Sequence, residues 1–460
     1  MKSILITGAT GLVGTHLISQ LLTTNKYKIR ILTRNADKAK KQMALPIDFF
    51  EWDLDAKKID TKSVENVDYI IHLAGENVAS YWTEKTKKRI LDSRVESTKL
   101  LLGALQKFPH QKTKIIQASA IGIYGNCGSE VIDESSESAK GFLANVCTKW
   151  ENTLLEDKNT NLNKAIVRIG IVLSTQGGAL QKMLPPFKFN LGGPLGNGQQ
   201  YMSWIHIDDL VSMFIYLVEN ETKDIIFNGV STSPVTNKEF THALNSTLNK
   251  FTFLPVPKVV LKTVLGQMSQ IVLNSQRIEP LSFKREGFTF KFTDLKDALG
   301  NLLRYEVKGE GLLIEQQWIE KPLSEVFDFF KDAKNLEKIT PEYLQFKVLS
   351  MNTKDIKEGS LINYKLKLRG IPFKWKTLIS KFKENDMFID QQEKGPYKKW
   401  VHTHTFSEVN GGTLINDHVV YKLPLGSVGR IVAGRFVKND VENIFSYRKE
   451  VIDKHFSNQR

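Results

Sequence analysis

"KSILITGATGLVGTHLISQLL", residues 2–22, decides the fold. It reads as a strand, a glycine turn and an amphipathic helix. Gly8, Gly11 and Gly14 give the spacing G-x-x-G-x-x-G, with Thr10 inside the turn. Gly8 permits the tight turn, Gly11 lets backbone approach a pyrophosphate, and Gly14 lets helix and strand pack closely. The free N–H groups and partial positive charge of the helix start then suit phosphate.

Working outward, strands alternate with helices. "YKIRILTRN" is a second strand ending at Thr33-Arg34. An acidic residue there would hold a ribose 2′-OH, whereas an arginine suits a 2′-phosphate. Arg34 therefore favours NADP(H) over NAD, the alternative being a surface arginine on a βα loop. "IDFFEWDLD" is a third strand that places Asp53 as an adenine contact. The fourth, "VDYIIHLAGENV", ends at Leu73-Ala74-Gly75, where small residues let backbone lie against a cofactor. On the helix that follows, Arg94 is placed to reach the phosphates or to pair on the helix surface. "TKIIQASAIGIYG" is the fifth strand. The alternation predicts an α/β fold with a doubly wound parallel sheet.

The 460 residues call for two or three domains. Apolar residues make up 41% and charged ones 25%, as in soluble globular proteins. The net charge of +14 is spread over the chain without long basic blocks, which argues against nucleic acid. Two cysteines, Cys127 and Cys147, are too few for a disulfide framework. No apolar run reaches the ~18 residues of a membrane helix, and the N-terminus reads as a strand, not a secretion signal. The expectation is a protein of the cytoplasm.

The first 303 residues resemble the epimerase family of the extended short-chain dehydrogenase/reductase superfamily. The matching stretches include "TGATGLVG", "HLAGENV", "DSRVEST", "RIGIVLS", "LGGPLGNGQQYMSWIHIDDL" and the segment beginning "LPVPKVVLKTVLGQ". The resemblance implies a Rossmann fold over 1–303, a substrate lobe within about 170–303, and NADP(H) as cofactor. Carried onto this chain, the cofactor contacts are Gly8, Gly11, Gly14, Thr33, Arg34, Leu73, Ala74 and Arg94.

The superfamily's acid–base device is Ser/Thr, Tyr and Lys. Tyr exchanges a proton with the substrate oxygen, Lys lowers its pKa, and Ser or Thr polarises the same oxygen. Alignment on Tyr124-Gly125 and on Glu151 puts Ala120, Leu143 and Cys147 at those positions, so all three groups are missing. Substitute catalytic candidates are Glu76, raised in pKa by burial, and Ser119, Tyr124, Cys147 and Lys149. Against these stand plainer roles: Tyr124 as a packed turn residue, Cys147 as a small core residue, Lys149 as a solvated helix residue. His206 in "WIHIDDL" reads as a positioning group. "TQGGALQKMLPPFKFNLGGPLGNGQQYMSW" reads as a long, glycine- and proline-punctuated loop whose Met183, Leu184, Phe187 and Trp204 make a folded lining.

From residue 304 to 460 the pattern changes. A strand, "GLLIEQQWIEK", leads to a short helix capped by Ser324 with Val326, Phe327, Phe329 and Phe330 on its apolar face. Alternating strands and a closing helix follow, an α+β helix-grip pattern. With "PLSEVFDFFKDAKNLEKITPEYLQF" and "GPYKKWVHTHTF", this part resembles the SRPBCC superfamily (START, Bet v 1 and polyketide-cyclase-like proteins). The resemblance implies a lipophilic-ligand cavity, with Trp375, Trp400 and Phe406 as lining. The alternative is a filled core. His402 and His404 face one side of a strand as metal ligands do, but no third ligand is apparent in the sequence and no metal is assigned.

Two functions are consistent with this reading. One is an NADP(H)-binding epimerase or oxidoreductase acting on a small, apolar substrate. The other is a non-catalytic, NADP(H)-sensing or protein-interacting regulator, as the cell-division-inhibitor label of some relatives implies.

Overall fold

The computed structural model describes residues 1–252 and 254–457. Its opening stretch forms β1 (Lys2–Thr7) and α1 (Leu12–Thr24). All of β1 after Lys2 is buried, as a central parallel strand covered on both faces requires. The chain continues through β2 (Tyr27–Thr33), α2 (Ala36–Met43), β3 (Asp48–Asp53), β4 (Lys58–Ile59), β5 (Tyr69–His72), α3 (Glu84–Leu105), β6 (Thr113–Ala120), α4 (Phe142–Leu155), β7 (Leu162–Ile169), α5 (Ile207–Glu219) and β8 (Ile226–Gly229). The sheet order is β8-β7-β6-β5-β1-β2-β3-β4. It is parallel throughout except for the β3–β4 hairpin.

This is a doubly wound, Rossmann-like sheet. β1 pairs with β2 on one side and with β5 on the other, so the strand order reverses there and opens a crevice at the carboxyl ends of β1 and β5. The core residues Leu5, Leu32, Ile70, Leu101, Leu105, Ile115 and Leu154 cluster on one face of the sheet.

Two expectations are corrected. The fifth strand ends at Ala120, and residues 121–124 turn into a 3₁₀ helix. The long "loop" contains a helix over Gly178–Lys188 with Pro185 and Pro186 in its last turns. Leu180, Leu184 and Phe187 recur at helical spacing and are buried, so burial of that stripe overrides the prolines' lack of an N–H.

The chain forms two compact units, Met1–Ala39 with Ile47–Leu303, and Lys40–Pro46 with Arg304–Arg460. In the second, β9 (Gly311–Ile319) precedes α6 (Leu323–Lys331). Strands β10 (Lys347–Met351), β11 (Leu361–Leu368), β12 (Ile371–Lys383), β13 (Met387–Lys394), β14 (Lys399–Val409) and β15 (Gly412–Lys422) follow, then the long α7 (Gly426–Ser457). The order β9-β15-β14-β13-β12-β11-β10 is antiparallel throughout.

Two-residue turns at Arg369-Gly370 and Asn410-Gly411, with both residues at positive φ, match the twist of the strands they join. The sheet, short helices and one long closing helix make a helix-grip fold. The helix begins after Pro322 as expected, but Ser324 lies inside it and does not cap it. Val326, Phe327, Phe329 and Phe330 are buried as their spacing predicts.

Candidate functional site

The glycine turn is built by close approach. Gly8 has φ +67°, and a Cβ on it would lie 2.8 Å from the Leu73 carbonyl carbon and 3.0 Å from the Ala74 nitrogen. A Cβ on Gly14 would lie 2.5 Å from the Gly8 oxygen. Gly11 caps α1 without any side chain on its N–H groups, which leaves those donors for an anion. Thr10 and Gly11 are exposed at the mouth.

Beneath the turn lies a polar network that the sequence reading missed. Thr7 Oγ1 sits 2.7 Å from His72 Nδ1 and accepts from the Ala74 N–H at 3.1 Å. His72 Nε2 meets Thr98 Oγ1 at 3.1 Å, and the Trp150 indole donates to the same hydroxyl. Burial lowers the His72 pKa to about 3, so the ring is neutral. It fixes the end of β5 where Leu73–Gly75 face the crevice. The signal was a histidine inside the apolar run "YIIHLAG".

Arg94 reaches from α3 to this wall. A Cβ on Gly75 would meet its guanidinium carbon at 3.0 Å, and its guanidinium lies 5.1 Å from the Trp150 ring centroid. Arg94 is thereby held by stacking and by a bond to the Ile90 carbonyl, with no carboxylate ion pair among the described residues.

Thr33 ends β2, and Arg34 just beyond it is exposed and makes no ion pair among the described residues. Asp53 spends one carboxylate oxygen on the N–H groups of Asp55 and Ala56 in the β3–β4 turn, at 2.9 and 3.0 Å. The other carboxylate oxygen is not used in that turn.

The acid–base position is apolar or engaged elsewhere. Leu143 Cβ lies 3.3 Å from where a Gly122 Cβ would be. Cys147 is buried, and burial pushes its thiol up to about 11, which makes it a core residue. Ser119 donates to Glu151 Oε1 at 2.6 Å. Arg168 grips the Glu151 carboxylate through Nε at 3.0 Å and Nη2 at 2.8 Å, and its Nη1 donates to the Tyr124 hydroxyl at 2.8 Å.

Tyr124 in turn donates to Asn228 Oδ1 at 2.9 Å, and burial raises its phenol to about 12. The candidates Ser119 and Tyr124 are thus tied into one buried, satisfied network. Glu76 is only half-buried and pairs with Arg89, so the expected desolvated acid is instead an ion-paired carboxylate. Lys149 is exposed. His206 caps α5, accepting from the Asp208 N–H at 3.0 Å, and stacks on Phe292.

The second unit encloses a cavity of about 160 Å³ between its sheet and helices, lined mainly by apolar side chains, with Trp375 and Trp400 among them. Phe406, expected there, instead packs on Phe327 and Phe330 in the core. Polar groups gather on the wall: Asp390, His402, His404 and Arg448. Register explains the gathering, because Asp390 pairs across from His402 and Asp417 across from His404. The sequence showed no third ligand beside His402 and His404; the pairing brings Asp390 to them.

His402 is lowered to about 4, first by burial and then by His404 beside it. Burial also opposes charge on His404, but Asp417 and Asp390 outweigh it and raise its pKa. Among the described residues no helix is long and apolar enough to cross a membrane.

Comparison with known proteins agrees with this geometry. The NAD dependent epimerase/dehydratase family matches residues 4–228, a domain of unknown function (DUF1731) matches 256–302, and the polyketide cyclase/dehydrase and lipid transport family matches 319–445. The chloroplastic epimerase family protein SDR39U1 homolog of Arabidopsis thaliana is 37% identical over 302 residues, covering 65% of this chain and 86% of that one. Epimerase family protein YfhF of Bacillus subtilis is 33% identical, covering 65% and 98%. A solved structure of human epimerase family protein SDR39U1 (isoform 2) with NADPH is 30% identical with a TM-score of 0.59, covering 66% of this chain and 99% of that one. On its glycine turn, its sheet and these relatives, the chain belongs to the NAD-dependent epimerase/dehydratase family.

Proposed function

We propose that the chain binds NADP(H) at the carboxyl ends of β1 and β5 and an apolar ligand in its second unit. We read it as an epimerase- or oxidoreductase-like protein acting on a small molecule. The observation that carries the cofactor is the turn: Gly8 and Gly14 let it pack tightly on its own backbone and on Leu73–Ala74, and at Gly11 the start of α1 has no side-chain cap, which leaves its N–H groups for a pyrophosphate. The human relative solved with NADPH supports the same choice. Bound there, NADP(H) supplies a hydride donor or acceptor at its nicotinamide. Gly11 and the start of α1 hold the pyrophosphate, Arg94 adds positive charge beside Gly75, and Arg34 takes the 2′-phosphate. The matched polyketide cyclase and lipid transport family supports the apolar ligand.

A second reading, a cofactor-sensing regulator without turnover, is favoured by Leu143, which has no ionisable group, and by Cys147, whose thiol burial keeps protonated, at the positions where the superfamily's Tyr and Lys align. The test of the cofactor assignment is Arg34→Asp. It is expected to weaken NADPH by about tenfold or more, as loss of a charge-assisted contact does, while NADH changes little. Equal loss for both nucleotides would overturn it.

A further inference from the structure

Asp417 Oδ1 lies 2.9 Å from His402 Nε2 and 2.7 Å from His404 Nδ1. Contacts that short to a carboxylate require N–H on both nitrogens. Arg448 Nη2, at 3.4 Å from His404 Nδ1, is too far to compete for that nitrogen. Asp417 therefore fixes both tautomers. The other nitrogens, His402 Nδ1 and His404 Nε2, lie 3.4 and 3.1 Å from one oxygen of Asp390. In neutral rings these are lone pairs aimed at a carboxylate.

A proton on His404 relieves one of the two contacts and leaves the other. A cation among the three relieves both. Two ligand atoms about 2.1 Å from one ion, at about 95–110°, stand about 3.1–3.4 Å apart, which is the spacing of each histidine from Asp390, and all three ligand atoms lie within 4.8 Å of one another. The arrangement also has the outer support of a metal site, a carboxylate orienting each imidazole through its far nitrogen.

We infer that Asp390, His402 and His404 form a divalent transition-metal site, zinc or iron(II), in the wall of the second unit's cavity. The two-histidine, one-carboxylate set suits either ion and leaves coordination positions for a ligand. Charge indicates what fills them. Asp390 and Asp417 with Arg448 sum to one negative charge, and a divalent ion turns that into one positive charge, which an anionic oxygen neutralises.

Two buried donors belong to side chains lining the same cavity. The Trp375 indole N–H and the Arg448 Nε–H have no partner among the described residues, and both side chains line the cavity. The ligand class is therefore an apolar molecule carrying a carboxylate or enolate oxygen. This rests on the reading of the second unit as an apolar-ligand binder, but the metal is tested with no organic ligand present, so either claim can fail alone.

The experiment is a Co²⁺ titration of the chelator-treated full chain, read by visible absorption. Saturation at one equivalent is expected. Asp390→Asn and His402→Gln are each expected to lose binding by about 100-fold or more, and Asp417→Asn to weaken it about 10- to 100-fold. Near-ultraviolet circular dichroism of each metal-free variant checks the fold, and using two ligand variants keeps the test intact if one fails to fold. No saturable Co²⁺ binding by the natural chain, or unchanged binding in folded variants, would overturn the site. Octanoate added to the Co²⁺ form is expected to shift its bands and 1-octanol is not. An identical response to both would overturn the anionic-oxygen ligand class.

Discussion

Arg168 holds Glu151 through two parallel N–H···O bonds of 3.0 and 2.8 Å, with both side chains buried. The pair occupies Ser119 and Tyr124 as well. Its role is structural, and that makes it testable. Glu151→Ala leaves Arg168 buried and uncompensated, which is expected to cost about 3–5 kcal/mol. Urea unfolding of the first unit reads this, and an unchanged midpoint would remove the structural role.

The glycine turn makes a second prediction. A Cβ at position 14 would sit 2.5 Å from the Gly8 oxygen and 2.7 Å from the Ala9 Cα, both backbone. Gly14→Ala must therefore push α1 away from β1. It is expected to destabilise the first unit by more than ~1 kcal/mol and to weaken nucleotide binding. Gly103→Ala, where nothing lies within 4 Å of the added carbon, is the control and is expected to do neither.

The buried His72 sets a pH dependence. Its pKa falls from 6.5 when exposed to about 3 in the fold. The unfolded chain then binds a proton that the folded chain refuses. The stability this gives is complete above pH 6.5 and is lost as pH falls toward 3, at up to about 1.4 kcal/mol per pH unit. Unfolding free energies measured between pH 7.5 and 4.5 are expected to fall less steeply for His72→Gln by about one proton. Parallel curves for the two chains would contradict a neutral buried ring.

Leu143 and Cys147 predict indifference. Should a carbonyl substrate be turned over, Leu143→Ala and Cys147→Ala are expected to keep the pH profile of kcat/KM near neutrality, because Leu143 has no ionisable group and burial keeps the Cys147 thiol protonated. A profile that loses an ionisation in Cys147→Ala would return the thiol to the chemistry.

Much of the first unit was legible because its signals are local. The Gly8, Gly11 and Gly14 spacing sits within a few residues of the strand and helix it joins, and Arg34 directly follows its strand. What escaped was non-local. Arg168 in "AIVRIG" and His72 in "YIIHLAG" interrupt apolar strands, and only the parallel register brings their partners near.

Asp390 and Asp417 lie on neighbouring strands, 12 residues before His402 and 13 after His404, and antiparallel pairing alone places them opposite the two histidines. Asp53 was legible in its place, since it ends its strand as the pattern predicts, while the turn that one of its oxygens caps was not.

The most direct test of the central claim is a fluorescence titration of the full natural chain with NADPH and, in parallel, NADH. Saturable binding with NADPH clearly preferred is the expected result. No binding of either nucleotide would contradict it, since the glycine cradle would then serve only to pack α1 against β1.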